Sequence, residues 1–166
     1  GTAKPPFDGR PIQFVDVFPR TPDRKIDLYP EALAQEARAG LYVYQPDPGT
    51  RDFPLALISP ASDKTISSTL AEIPRPEVRL LMHPDDAAGR GIADGDEIRI
   101  FNDLGEVRCK ATLGGWIRRG VVSLPKGIWR RHTLNGYTGT SLVSDALTDI
   151  GGGACFNDAR VEVARV

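Results

Sequence analysis

Few side chains in these 166 residues have the types and spacing that bond-making chemistry needs. The two histidines, His83 and His132, lie far apart, and neither has a second histidine or a cysteine at ligand spacing, so no metal site is expected from them. His83 stands immediately before Pro84 and reads as the cap of a short helix rather than as a general acid or base. Cys109 and Cys155 form no C-x-x-C pair and read as thiols of a reducing compartment. Asp85-Asp86 and Asp94-x-Asp96 have the spacing of acid–base pairs. The first, however, falls where a helix N-terminus favours negative charge, and the second brackets a glycine in a tight turn. Gly89-Arg90-Gly91 followed by Gly95 misses the dinucleotide-fold spacing and does not follow a strand. There is no G-x-S-x-G elbow and no P-loop.

What remains suits the holding of a large polar anion. Ser59-Pro60-Ala61-Ser62 leaves an apolar run with backbone N–H groups to offer, and Lys64, Thr65, Ser67 and Ser68 add donors. Lys126, Trp129, Arg130 and Arg131 cluster further on, and Gly151-Gly152-Gly153 lets backbone approach a ligand closely. Read from spacing alone, ordinary solvated loops account for these residues equally well.

The elements that must position these loops follow from composition and periodicity. The chain is 40% hydrophobic and 26% charged, and its net charge of −1 argues against a general nucleic-acid binder or a basic membrane-surface protein. No apolar run approaches the ~18 residues of a spanning helix, and no signal peptide is evident. With 17 Gly and 14 Pro, turns should be many and long helices few, which points to a β-rich body.

Residues 1–52 read as an arm and linker, broken by proline, with a short strand at most over Gln13–Phe18, a short helix over Pro30–Ala37 and a strand over Leu41–Tyr44. Residues 53–166 read as the body. Leu55–Ile58 has the continuous apolar pattern of a strand buried on both faces. Ser67–Ala71 is expected to open a short helix, Glu77–Met82 to form a strand, and Pro84–Gly89 a helix of about two turns. Ile98 and Ile100, then Val107, Cys109, Ala111 and Leu113, alternate with polar residues on either side of Asn102-Asp103-Leu104-Gly105. This predicts a hairpin over Asp96–Leu113 with those six side chains facing the core. Val121–Leu124 and a stretch around Val161 and Val163 complete the strands. Residues 125–157 hold almost no periodicity, and long loops inside compact domains are usually functional.

Four blocks in order carry a resemblance. They are Leu57-Ile58-Ser59-Pro60-Ala61-Ser62 running to Ser67-Ser68; His83-Pro84-Asp85-Asp86-Ala87-Ala88-Gly89-Arg90-Gly91-Ile92-Ala93-Asp94-Gly95-Asp96; Arg119-Gly120-Val121-Val122-Ser123-Leu124-Pro125-Lys126-Gly127; and Thr148-Asp149-Ile150-Gly151-Gly152-Gly153-Ala154-Cys155-Phe156-Asn157-Asp158. Together the stretch from Leu55 to Val163 resembles the C-terminal cofactor-binding domain of molybdopterin oxidoreductases. These belong to the dimethyl sulfoxide reductase superfamily, which includes formate dehydrogenases and nitrate reductases. Relatives often carry Asn-Ser where this chain has Ser67-Ser68, and an Asn where it has Thr140.

The resemblance implies a mainly β fold with short helices: a six-stranded double-psi β-barrel, preceded by the irregular N-terminal arm. It implies that one face closes over molybdopterin guanine dinucleotide. The residues expected there are Ser59, Pro60, Ala61, Lys64, Thr65, Ser67, Ser68, Lys126, Trp129, Thr140, Asp149, Gly152 and Asn157. Molybdenum or tungsten, and any iron–sulfur cluster, would be held by the remaining domains of a parent oxidoreductase, leaving the isolated domain inactive. No nucleic acid and no membrane insertion are expected. The start at Gly1 rather than Met suggests either a cloning remnant or a piece excised from something longer. The alternatives are a stand-alone small subunit of a formylmethanofuran dehydrogenase-like complex, or a non-redox double-psi interaction module. A cytoplasmic location is expected, with periplasmic export through a signal outside these residues the alternative.

Overall fold

Strict alternation along Glu97–Leu113 makes one face of each strand apolar, and the four-residue turn between the strands lets those faces coincide. In the computed structural model β3 (Glu97–Asn102) and β4 (Gly105–Leu113) pair antiparallel, with Ile98 opposite Cys109 and Ile100 opposite Val107. Ile98, Ile100, Val107, Cys109 and Ala111 are buried, and Leu113 packs partly buried against the same core, so the expected register holds. The structure describes residues 2–3, 12–37, 39–44, 49–62, 65–70, 72–73, 77–148, 151–155 and 157–166.

The chain divides into two compact units, Gly1–Gln45 and Pro46–Val166. In the first, helix α1 (Glu31–Glu36) buries no residue, and Tyr42 reaches back through its hydroxyl to the Leu28 carbonyl while its ring meets Tyr29 edge-on. The strands expected there do not form. Gln13–Phe18 is a tight turn with a single bridge between Gln13 and Val17 and Phe14 at φ 62°. Leu41–Tyr44 starts in a turn with Tyr42 at φ 64°. Among the described residues neither segment has a neighbouring strand to supply a ladder, and an isolated strand cannot satisfy its own backbone.

The second unit is a closed six-stranded barrel. Its strands are β1 (Leu55–Ile58), β2 (Arg79–Met82), β3, β4, β5 (Val121–Ser123) and β6 (Ala159–Arg165), in spatial order β1-β5-β2-β4-β3-β6. β1 runs parallel to β5, and β2 parallel to β4. The connection from β1 to β2 therefore straddles β5, and that from β4 to β5 straddles β2. These two interlocked crossings are the double psi.

Inward side chains from all six strands meet in one core, closed by Leu124 and Leu142 from the loops. Each fully buried aliphatic side chain contributes roughly 1.5–3 kcal/mol. β1 departs from the expectation of burial on both faces: Leu55 and Leu57 are buried, but Ile58 is 38% exposed. In a single-layer barrel a strand has only one core face, so its burial alternates.

The candidate acidic pairs hold the fold. His83 Nδ1 accepts the Asp85 N–H at 3.1 Å and caps α2 (Pro84–Ala88), as expected. Asp86 Oδ2 accepts the Gly120 N–H at 2.8 Å. Asp94 Oδ1 accepts that of Leu113 and Asp96 Oδ2 that of Ala93, each at 2.9 Å. Asn102 ties three segments. Its Oδ1 accepts the N–H groups of Leu104 and Gly105, while its Nδ2 donates to the carbonyls of Leu142 (2.8 Å) and Arg160 (3.1 Å). On the outer face of β4, Arg108 donates to Glu106 at 2.6 Å. That bond, with Arg108's charge and a weaker contribution from Arg99, outweighs desolvation and holds the Glu106 carboxyl below its ordinary range.

This packing separates two substitutions on neighbouring positions of β4. Val107→Asp places an unpaired carboxylate in the core and should cost ~3 kcal/mol or more, whereas Arg108→Ala removes a half-exposed ion pair and should cost under ~1 kcal/mol. Because Glu106 titrates lower folded than unfolded, the small Arg108 deficit should shrink as pH falls through that lowered value. Thermal melts of the two variants check both, and equal melting temperatures would refute the register. Burial also pushes the Cys109 thiol up to about 12. At pH 8 a disulfide reagent should modify only the partly exposed Cys155 in the folded chain, and Cys109 only after unfolding, read as thiols released per chain over time.

Candidate functional site

β1 and β5 run parallel, so both end on the same side of the barrel, and β6 runs antiparallel to β1, so it begins there. The pairing continues past the strand ends: the Leu124 N–H donates to the Ile58 carbonyl and the Lys126 N–H to the Pro60 carbonyl, each at 3.0 Å. Pro60, Ala61 and Lys126 thus lie side by side at one rim, with Lys126 exposed. Asn157, 98 positions away from Ser59 in sequence, joins them: its Oδ1 accepts the Ser59 N–H at 3.3 Å. That N–H is therefore engaged by the protein. The Asn157 carbonyl oxygen is committed as well, and its Nδ2 is the atom that remains to donate outward, for which no partner is found among the described residues.

The Ser67-Ser68 segment is not the start of a helix. Ile66 and Thr69 bridge each other across a tight turn, and Ser67 and Leu70 have φ of 52° and 71°, outside helical geometry. Serines compete poorly for helix interiors, and here tertiary neighbours decide the shape. Trp129 Nε1 donates to the Ser68 carbonyl at 2.9 Å. Gly127, at φ 74°, lies so close that a Cβ there would overlap the Ser67 carbonyl. Both serine side chains are exposed, and Thr65, half-buried, donates to Ser62 Oγ at 3.3 Å.

The loop after Gly127 supplies the positive charge. The 3₁₀ turn Arg130–His132 is fixed by the Trp129 N–H, which donates to His132 Nδ1 at 3.2 Å. The Arg131 guanidinium lies 4.9 Å from the centre of the Trp129 ring. Ile128, Trp129, Arg130, Arg131 and Thr138 line an open groove of about 450 Å³. A second 3₁₀ turn, Gly139–Leu142, begins beside Ser59: a Cβ on Gly139 would lie 3.7 Å from Ser59 Oγ. Its exposed Thr140 shares a hydroxyl contact of 2.9 Å with Thr138.

Gly152 lies in the segment closed by the Leu147–Ala154 bridge and by the Thr148 N–H to the Gly153 carbonyl. The hydrogen bonds that join Ser59 to Asn157 and Ser68 to Trp129 do not extend to it. Lys64 and Asp149 lie outside the described residues. Sequence reasoning misses the contribution of Gly127, although Pro125-Lys126-Gly127 is a turn signal that points to it. The commitment of Asn157 Oδ1 to Ser59 has no signal in the sequence.

The groups gathered here can hold a polar anion. They offer hydroxyls (Ser59, Ser67, Ser68, Thr140), an amide donor (Asn157), cations (Lys126, Arg130, Arg131) and close backbone approach, a donor set that suits phosphate oxygens and the polar edges of a heterocycle. Among the described residues no group of three or more His, Cys, Asp or Glu is placed to hold a metal ion. The larger recess of about 690 Å³ between Leu104, Glu106, Arg108, Asn135 and Tyr137 is a poorer anion site, because its guanidinium is already paired with Glu106.

Comparison with known proteins agrees with this chemistry. The family model described as "Molydopterin dinucleotide binding domain" matches residues 57–160. Over 151 residues the chain is 30% identical to "Probable oxidoreductase YoaE" of Bacillus subtilis (strain 168), a match that covers 88% of this chain and 22% of that protein. It is 34% identical over 119 residues to a putative dimethyl sulfoxide reductase catalytic subunit of Halobacterium salinarum, covering 69% of this chain and 14% of the relative. It is 33% identical over 129 residues to "Dimethyl sulfoxide reductase DmsA" of Escherichia coli, covering 66% and 16%. Acetylene hydratase from Pelobacter acetylenicus shares the fold, with a TM-score of 0.72 at 18% identity over 88% of this chain and 24% of that one. The chain thus spans under a quarter of the length of each. On the family match and the curated relatives, this chain belongs to the molybdopterin dinucleotide-binding domains of the dimethyl sulfoxide reductase superfamily.

Proposed function

We propose that this chain is the C-terminal part of a molybdopterin-dependent oxidoreductase and closes over the guanine form of the dinucleotide, most of which is held by the other domains. The observation that carries the reading is the convergence of Ser59, Lys126 and Asn157 at one barrel rim, with Ser67, Ser68 and Trp129 joined beside Gly127. When bound, the cofactor supplies redox chemistry at a molybdenum or tungsten held outside this chain. The chain's own residues bind and orient. Lys126, Arg130 and Arg131 would balance the pyrophosphate charge, Asn157 Nδ2 and the serine hydroxyls would donate to polar edges of the pterin or base, and the barrel would exclude water from one side. Thr140, Thr65 and Gly152 belong to the proposed surface as its periphery.

Exposed apolar residues of the first unit, among them Ile12, Phe14, Val15 and Leu28, suit packing against the remaining domains of the enzyme. No feature described above favours the small-subunit or the non-redox reading. A cytoplasmic location remains part of the proposal, resting on two cysteines that stay as thiols.

In the enzyme that carries this chain, Ser68→Ala, Lys126→Ala and Asn157→Ala should each lower cofactor content per folded protein, with Asn157→Ala the largest. Wild-type content in all three would mean that these loops are only connections. Acid release of the cofactor followed by chromatography should yield guanosine monophosphate, and another nucleotide would overturn the guanine assignment. The purified 166-residue chain should contain no stoichiometric molybdenum, tungsten, iron or zinc by elemental analysis and should show no redox activity.

A further inference from the structure

The Ser67-Ser68 turn is an unusual piece of backbone to find in an exposed loop. Ser67 has φ 52° and Leu70 φ 71°, in the left-handed region that non-glycine residues rarely adopt. Both residues are exposed, so no core packing imposes that shape. Two contacts from the Gly127–His132 segment do. Gly127, itself left-handed at φ 74°, leaves its α-carbon face flat against the Ser67–Ser68 peptide, where any Cβ would overlap the Ser67 carbonyl. Trp129 then closes the other side by donating its indole N–H to the Ser68 carbonyl at 2.9 Å. The indole is held in turn, since its own backbone N–H donates to His132 Nδ1 and Arg131 covers its ring.

From these contacts we infer that Gly127 and Trp129 form a clamp that holds the Ser67-Ser68 turn in its strained conformation, and that Trp129 acts on the cofactor by positioning the two serine hydroxyls rather than as a stacking surface of its own. This rests on the proposed cofactor-binding reading. The indole N–H is its one donor, and it is directed into the protein. Without the clamp the turn relaxes toward ordinary backbone, and the hydroxyls leave the rim that Lys126 and Asn157 share.

The test uses Trp129→Phe, which keeps an aromatic ring and removes the donor. Gly127→Ala, which adds the overlapping Cβ, is the harsher second variant. In the 166-residue chain, hydrogen exchange of the 66–69 amides should quicken about tenfold in Trp129→Phe, the equivalent of one lost hydrogen bond, while the strand amides of β3 and β4 keep their rates. Unchanged exchange at 66–69 overturns the clamp. In the enzyme that carries this chain, Trp129→Phe should lower cofactor content alone but add almost nothing in a Ser67→Ala, Ser68→Ala background, because it acts through those hydroxyls. Full additivity would show that Trp129 contacts the cofactor independently, and the positioning role would fail while the site reading stands. Wild-type content in Trp129→Phe, in Ser68→Ala and in the double serine variant would remove the site reading as well.

Discussion

Everything at the candidate surface depends on one parallel pairing. β1 and β5 lie side by side and run the same way, so the chain leaves both strands at the same rim. A hairpin would have placed one exit at each end. Parallel neighbours need a long crossover between them, and here that crossover contains β2, β3 and β4. The closure entropy of so long an excursion grows only slowly with its length, and the buried aliphatic core offsets it. The ladder then extends beyond the strands through Leu124 to Ile58 and Lys126 to Pro60, so the loops start from a fixed relative position.

The local parts of this fold are legible in the sequence and the non-local parts are not. The β3–β4 hairpin can be read because eight residues alternate strictly and Asn102-Asp103-Leu104-Gly105 supplies the turn, so neighbours in sequence are neighbours in space. The cap by His83 is readable for the same reason. No period in the sequence says that β5 inserts between β1 and β2. That order comes from the resemblance of four motif blocks, as does the class of cofactor. Ser67-Ser68 misleads because local propensity takes no account of Gly127 and Trp129, about sixty residues further on, which lie against it. Leu41–Tyr44 misleads because apolar residues suggest a strand even where the described residues hold no partner strand.

Charge is sorted along the same lines. The acids that flank α2 and the β3–β4 hairpin are engaged by backbone N–H groups or, as in Arg90 with Glu162, by a paired guanidinium that ties the segment after α2 to β6. These contacts define the barrel and its two crossings. Lys126 is exposed at the rim, and beside it in sequence Arg130 is steadied by the Gly136 carbonyl at 2.9 Å, with Thr133 within hydrogen-bonding reach of the Arg130 and Tyr137 carbonyls. A near-neutral chain thus presents a local positive surface without a basic composition.

β2 pairs with β4 over Lys110–Leu113, and the earlier half of β4 extends beyond it. There the Asn135 side chain takes a strand's place: its Oδ1 accepts the Arg108 N–H, its Nδ2 donates to the Glu106 carbonyl, and the Leu134 N–H donates to the Arg108 carbonyl. An unguarded sheet edge is a template for a strand from another molecule. One amide side chain denies that template to a second copy of the chain, so the long irregular loop also protects the barrel from adding to itself edge to edge.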